Sequence, residues 1–267
     1  MKANLGIASV LAAAAVLVST TEAAAAGNAN GFGEKGELIV SADRLVPLFS
    51  YTYSSTTRTV GGVELTDSHS GSGLSLLWGQ SLARSNTFQP SVHTIPRVAF
   101  DVTVIPRLTI GAAIAFGFGL GGTNETQTVA PNGTRVTRTA DAPTATAIGL
   151  APRVGYILPL TDIFAFWPRL GFGFYSMSMS TETTNNNNVV TTTKLTDTHF
   201  SLDVDPQFAL VPLEHFFITF GPVVNIPLTG SRTSTTITGS TTQETEFDAS
   251  TFHVGLTAGL GGWFNIF

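Results

Sequence analysis

The stretch that decides the fold is residues 97–120, RVAFDVTVIPRLTIGAAIAFGFGL. Its even-numbered positions are Val or Phe up to 104 and Leu, Ile, Ala or Phe from 108 onward, whereas the odd-numbered positions on both sides of the break are small or polar. A period of two is typical of β-strands whose two faces meet different surroundings. Pro106 interrupts the pattern, and a proline presets the backbone for a tight turn. The stretch therefore predicts an antiparallel hairpin.

The same alternation recurs from residue 36 to the end of the chain. It predicts eight strands, at residues 36–55, 94–105, 108–122, 143–157, 163–181, 196–211, 215–229 and 247–266. Tight turns with Pro106, Pro159 and Pro212 join the strands on one side, and Thr/Ser/Asn/Gly-rich loops near 56–93, 121–143, 182–195 and 230–246 join them on the other. This asymmetry is typical of an all-β, antiparallel up-and-down transmembrane barrel with short periplasmic turns and long extracellular loops. Segment 73–82, around Trp78, is either part of the first loop or an extra strand, which leaves eight or ten strands.

The composition also favours a membrane barrel. Only 12% of the 267 residues are charged, about half the usual share. After the N-terminus no run of 18 apolar residues occurs, so transmembrane helices are excluded. Because the polar face is mostly small residues, we place it in a narrow interior and the Phe and Leu face against lipid. The alternative is a soluble β-sandwich or lipocalin-like barrel with the faces reversed.

Four tyrosines lie near strand ends, which predicts that they belong to aromatic girdles. They are Tyr51, Tyr53, Tyr156 and Tyr175.

Charge and cysteine content exclude several function classes. The net charge is −5 and no basic cluster is present, so we expect no nucleic-acid partner. The chain has no Cys, which excludes disulfides, thiolate metal sites, Cys nucleophiles and a lipoprotein anchor. We expect no cofactor and no metal.

The first 26 residues have the pattern of a secretory signal peptide. Lys2 supplies a positive start, residues 5–18 are apolar, and Ala24, Ala25 and Ala26 form a small-residue cleavage site. The alternative is a buried N-terminal helix. We predict a cleaved signal peptide at 1–26, an outer-membrane β-barrel domain at 27–267, and export through the inner membrane to the outer membrane.

The C-terminus carries a family resemblance. Gly261, Phe264, Ile266 and Phe267 resemble the signal by which barrels are recognised for membrane insertion, although Gly259 stands where a polar residue is usual. With the hairpin layout, the chain resembles the small eight-stranded outer-membrane barrels of the OmpA, OmpX and OmpW type. The resemblance implies a Gram-negative cell envelope, with outer-membrane lipid, lipopolysaccharide and the barrel-assembly machinery as partners. The lipid face contains no polar break that would indicate an interface between subunits, so we expect a monomer.

Six charged residues fall on the face assigned to the lumen, at similar distances from their periplasmic turns. They are Arg97, Asp101, Arg153, Arg169, Asp203 and Asp205. We expect one layer in which three cations balance three anions, with Asp203 and Asp205 neutralising Arg153 and Arg169. An eight-stranded barrel is just wide enough for side chains to fill it. The layer therefore predicts a structural plug, and the alternative is a gate or ion-binding site.

His199 and Ser201 form a second candidate, since they share one strand face and a histidine can activate a serine hydroxyl. Their His-x-Ser pattern resembles that of the lipid A deacylases, which are outer-membrane barrels of similar size. Leu202 stands where that family has Asn, and the pair falls on the lumen face, whereas a lipid substrate needs an outward site. We therefore expect no enzymatic activity.

Three functions follow from these patterns. The first is a structural or surface-interaction barrel with a filled lumen and exposed Thr/Ser/Asn-rich loops. The second is a porin-like narrow channel for small, apolar solutes, which the likeness to the OmpW type implies. The third is a lipid-modifying enzyme.

Overall fold

The structure is a computed structural model that describes residues 28–74, 92–129, 133, 135–184 and 189–266. The predicted signal peptide, residues 75–82 of the ambiguous segment, and Phe267 lie outside the described residues. Within the described ranges, no helix has the length and apolar character needed to cross a membrane.

Twelve strands make up the described part of the chain, with two short 3-10 turns at Ala29–Gly31 and Val92–Thr94. The strands are β1 (Glu37–Val60), β2 (Val63–Leu74), β3 (Arg97–Ile105), β4 (Leu108–Gly119), β5 (Gly122–Val129), β6 (Arg135–Ala142), β7 (Thr144–Tyr156), β8 (Leu158–Pro159), β9 (Phe164–Thr184), β10 (Val190–Leu213), β11 (Phe216–Thr238) and β12 (Thr241–Asn265).

Eight of these strands close into a ring. The order is β1, β3, β4, β7, β9, β10, β11 and β12, and β12 pairs with β1 to complete it. Every pairing in the ring is antiparallel. The prediction of an eight-stranded up-and-down barrel is therefore confirmed. Closure leaves no unpaired edge within the ring, which is the condition for strands to cross lipid.

The outer connections differ from the prediction, because much of each expected loop is strand. β1 and β2 form a hairpin through Gly61 and Gly62, both with positive φ. β11 and β12 run on to a turn at Gly239, and β5 and β6 pair separately. Thr fits a pleated strand better than an irregular loop because its β-branched side chain is stiff. A Thr-rich polar stretch was wrongly equated with a loop.

The two faces of the barrel wall follow the sequence alternation. Large apolar side chains point outward, including Phe100, Phe116, Phe172, Phe174 and Leu260, which are 44–56% exposed. The small and charged residues of the alternate positions point inward. The assignment of the Phe and Leu face to the outside is confirmed. Tyr175 is an exception to the predicted girdle, because it lies inside the lumen and is 1% exposed.

The periplasmic end of the lumen is closed by residues 28–36, which we call the periplasmic cork. The ring of Phe32 lies 5.0–5.5 Å from the rings of Trp167, Phe217 and Trp263, measured between centroids. The cork is tied to two periplasmic turns, since the Ala29 N–H donates to the Thr161 carbonyl and the Arg107 N–H to the Gly33 carbonyl.

Glycine is required at position 33 of the cork. Its φ is +102°, and a Cβ there would lie 3.1 Å from the Ile157 side chain.

Candidate functional site: the filled lumen

A bulge in β1 brings two consecutive charges into the lumen. Neighbours on a strand normally point to opposite faces, yet Asp43 and Arg44 are both buried inside. The pairing of β1 with β12 shifts register between Ala42 and Val46, and the φ of Arg44 is +53°. Such a bulge re-aims a side chain by adding a residue to one strand. Asp43 and Arg44 thus join the charges of the other strands.

The extracellular half of the charged layer centres on β10. Arg97 donates to Asp205 at 2.8 Å and to Asp203 at 3.3 Å. From β1, Arg44 donates to Asp205 at 3.0 Å. Asn225 of β11 links the set, because it accepts from Arg44 at 3.2 Å and donates to Asp203 at 2.5 Å. Side chains from four strands are therefore held in one hydrogen-bonded group.

The periplasmic half of the layer centres on Asp43. Arg153 donates through Nε and Nη2 to Asp101, at 2.9 and 2.5 Å, and also forms an ion pair with Asp43. Arg169 donates to both carboxylate oxygens of Asp43, at 3.1 and 3.2 Å. Bidentate arginine–carboxylate contacts are the strongest pairs that proteins form. The whole layer holds four arginines and four aspartates, so its formal charge is zero.

All six residues predicted from the sequence lie in this layer. Each is at most 7% exposed, and each makes at least one ion pair within the layer. The predicted partners were wrong, because Arg153 and Arg169 pair with Asp43 and Asp101, not with Asp203 and Asp205. Long arginine side chains reach across the lumen instead of along the wall. The sequence pattern missed Asp43 and Arg44, and the one available signal was the slip in alternation after residue 43.

The charged layer rests on the aromatic rings of the periplasmic end. The Arg169 guanidinium lies 4.7 Å from the centre of the Trp167 ring, and that of Arg153 lies 5.8 Å away. A cation over an indole face is attracted by its quadrupole. Trp167 also donates through Nε1 to Thr109 at 3.2 Å. Trp167 therefore contacts both the cork and the charged layer.

The extracellular end of the lumen is filled by residues 92–96, which we call the outer cap. Val92 packs with Ala115, Ala147, Tyr175 and Met177. The backbone carbonyl of the next residue, His93, accepts from Arg44 at 2.8 Å. The cap thus sits directly on the charged layer.

His199 and Ser201, the residues of the catalytic alternative, both lie on the lumen side of β10. Both side chains are buried inside the barrel. The Ser201 hydroxyl donates to Asp203 at 2.7 Å. This hydrogen bond helps to hold a carboxylate of the charged layer.

The described residues of the predicted insertion signal occupy the periplasmic end of β12. Phe264 and Ile266 point outward and are 60% and 45% exposed. Gly261 faces inward, where a Cβ would lie 2.4 Å from the Phe217 ring. Glycine at this position leaves room for the aromatic rings that receive the cork. Its part in membrane insertion stays a prediction.

Beyond the apolar band, the long strands carry a further ion pair, separate from the charged layer. Arg232 donates through Nε and Nη2 to Asp197, at 2.6 and 2.9 Å. The hydrogen bond to Asp197 raises the pKa of Arg232 above its usual value. Within the described ranges, no group of three His, Cys, Asp or Glu residues is arranged to hold a metal ion.

No protein-family model and no curated protein matches the sequence. Among solved structures, the chain is similar to the attachment invasion locus protein Ail of Yersinia pestis, at 10% identity over 86% of this chain and 100% of that one, with a TM-score of 0.31. It is also similar to the outer membrane protease OmpT of Escherichia coli, at 11% identity over 85% of this chain and 96% of that one, with a TM-score of 0.35.

One expectation is corrected by these comparisons. The prediction of no enzymatic activity was wrong as an exclusion, because a protease is among the proteins of similar architecture. What the eight-stranded ring and its apolar outer face do establish is the class, a small outer-membrane β-barrel.

Proposed function

We propose that this outer-membrane barrel is filled from end to end and acts as a structural and surface-interaction protein, through the strands that extend beyond the membrane. The observation that carries the proposal is the neutral layer of four arginines and four aspartates. Removing one partner of a buried ion pair costs about 3–5 kcal/mol. A solute would have to displace several such pairs, so the layer favours closure over conduction.

Two further layers support closure. The periplasmic cork seals one end with Phe32 among three aromatic rings, and the outer cap buries Val92 and His93 at the other. A small pocket beside Arg97, Arg153 and Arg169 has an empty volume of about 190 Å³, which includes space open to solvent. The three layers differ in chemistry, so weakening one leaves the other two in place.

The surface role is supported by the strands outside the apolar band. They are rich in hydroxyl side chains that pair across strands, such as Thr57 with Thr66 at 3.0 Å and Thr191 with Thr238 at 3.1 Å. A rigid, weakly charged hydroxyl surface is suited to contact with other surfaces.

As part of the same proposal, the signal peptide at 1–26 is removed on export, and the barrel-assembly machinery recognises the C-terminus. The barrel is a monomer in lipid and lipopolysaccharide.

Planar-bilayer recording tests closure. The wild-type barrel is expected to give no stable, reproducible openings, and neither is Phe32→Ala, because the charged layer remains when the cork is weakened. Regular openings of the wild type would overturn the proposal in favour of a narrow channel.

The surface role is tested separately in cells. Replacing residues 58–65 with Asn-Gly shortens the β1–β2 hairpin and leaves the ring intact. The shortened form is expected to reduce adhesion and autoaggregation of expressing cells at equal surface abundance. Equal adhesion of both forms would contradict a surface role for this hairpin.

A further inference from the structure

Three histidines from three different elements meet at the extracellular end of the lumen. The His93 ring stacks on His253 with centroids 5.6 Å apart and planes 23° from parallel, and it lies 6.4 Å from His199. Tyr175 meets His93 edge-on at 5.2 Å. All three imidazoles are at most 8% exposed. Histidine is the side chain whose charge changes most readily between pH 5 and 8.

The hydrogen bonds of His253 define its neutral form. The Asn225 amide is oriented by its own donation to Asp203, so its oxygen faces His253 Nδ1 at 3.1 Å and also accepts from Arg44. Nδ1 of His253 therefore donates. Its Nε2 is buried and has no hydrogen-bond partner among the described residues. Protonation would place a new N–H donor in a position that offers it no acceptor.

Charged and aromatic side chains from several strands surround the cluster. His93 faces Arg44 of β1, Arg97 of β3, Tyr175 of β9, His199 of β10 and His253 of β12. His253 faces Arg44, Arg97 and Asp205, and His199 faces Asp197 and Arg232.

The carboxylates near the cluster already have arginine partners. Asp203 and Asp205 pair with Arg44 and Arg97, and Asp197 pairs with Arg232. A protonated cluster would thus add positive charge beside Arg44 and Arg97, and the described carboxylates around it are already paired with arginine.

We propose that the outer end of the lumen is an acid-operated switch, in which protonation of the His93, His199 and His253 cluster drives the outer cap out of the lumen and exposes Val92 to the extracellular side. The contacts of the cap include the 2.8 Å hydrogen bond from Arg44 to the His93 carbonyl and the packing of Val92. The periplasmic cork and the periplasmic half of the charged layer contain no histidine. The switch therefore opens an outer vestibule, while the barrel stays closed below it.

The pH dependence has a defined slope. An imidazole that is neutral in the seated cap and free to protonate in the displaced one shifts the equilibrium towards displacement about tenfold for each pH unit below its ordinary pKa of about 6.5. Up to three imidazoles take part, so the transition is expected to be steep.

The absence of Cys makes a direct test possible. Val92→Cys reports on the cap, and Thr241→Cys, at an exposed position of β12, is the matched reference. The rate of labelling by a membrane-impermeant thiol reagent is measured for each in lipid vesicles between pH 8 and pH 4.5. We expect the ratio of the two rates to be well below one at pH 8 and to rise at least tenfold below pH 6.

Removing the imidazoles identifies the sensor. In the Val92→Cys background, replacing all three histidines with Gln is expected to give a low ratio at every pH. If that variant fails to fold, as judged by heat-modifiable gel mobility, His253→Gln alone is expected to make the rise less steep. A flat ratio in the parent, or an undiminished rise in a folded histidine variant, would overturn the proposal. Conductance of the wild type at neutral pH would contradict the filled lumen but not this switch.

Discussion

The two ends of the long strands β10 and β11 are held by different interactions. Between residues 199 and 211, every inward position of β10 is buried against side chains from across the lumen. Between 190 and 198, the same strand carries mostly Thr, whose contacts run to its immediate neighbours on β9 and β11. The ladder between β10 and β9 runs through both regions without a register shift, and the ladder between β10 and β11 continues through both with shifts after Phe200 and after Leu210. The difference shows that backbone hydrogen bonds between neighbours are enough to form the strands. The side-chain contacts across the lumen are what connect strands that are not neighbours.

The magnitudes of these interactions differ in the same way. A cross-strand side-chain pair contributes about 0.2–1 kcal/mol, whereas a buried ion pair that loses one partner costs about 3–5 kcal/mol. We therefore expect stability to be concentrated inside the apolar band and the outer strands to tolerate change. Four substitutions test this contrast, all by the free energy of urea unfolding in phospholipid vesicles.

The largest effect is expected at Asp43, which pairs with both Arg153 and Arg169. Asp43→Ala leaves buried guanidinium groups without their carboxylate, so we expect a loss of about 3–5 kcal/mol. The matched control is Asp67→Ala on the exposed strand β2, for which the expected change is within about 0.5 kcal/mol. Equal losses at the two aspartates would remove the distinction between the regions.

Asp43 also shows how far the sequence could predict this site. Strict alternation identified the ring, its faces and six of the eight charges, because a period of two assigns each strand residue to one side. It could not identify Asp43 and Arg44 together, since a bulge breaks the period and its place depends on pairing with β12. Nor could it predict partners, because an arginine selects a carboxylate across the lumen by reach, and distances across a barrel are not encoded in spacing along a strand.

The second effect is expected at Phe32 in the periplasmic cork. Phe32→Ala removes a ring from among Trp167, Phe217 and Trp263, so we expect a loss of about 3 kcal/mol. Phe32→Leu keeps most of the apolar volume and is expected to lose less than about 1.5 kcal/mol. If Ala and Leu were equally harmless, the cork would not contribute to the stability of the barrel.

The cork itself was not foreseen from the sequence. Residues 28–36 contain no alternation and read as polar, Gly-rich chain. The available signal lies in the barrel wall that receives the cork. Trp167, Phe217 and Trp263 are large residues at inward positions, near one end of three strands, where the other inward residues are mostly small. Three large inward rings indicate that something apolar lies between them, but not which segment supplies it.

A smaller effect is expected at the ion pair outside the apolar band. Asp197→Asn weakens the two hydrogen bonds from Arg232, whose side chain is 23% exposed although Asp197 is buried, so we expect a loss of about 1–2 kcal/mol. Raising the salt concentration should reduce the difference between wild type and variant, because the charge of the partly exposed Arg232 is screened. A loss as large as that of Asp43→Ala would show that the outer region depends on buried charge as the lumen does.

The smallest effect is expected at Thr57 on the β1–β2 hairpin. Thr57→Val removes the hydroxyl that meets Thr66 at 3.0 Å but keeps the β-branched shape that suits a strand. Since both hydroxyls can bond to water when separated, the expected change in unfolding free energy is within about 0.5 kcal/mol. Thr57→Gly is the informative partner, because it removes the branched side chain as well and costs about 1 kcal/mol in a strand. A larger loss for Val than for Gly would mean that hydroxyl pairing, and not strand propensity, holds the outer strands together.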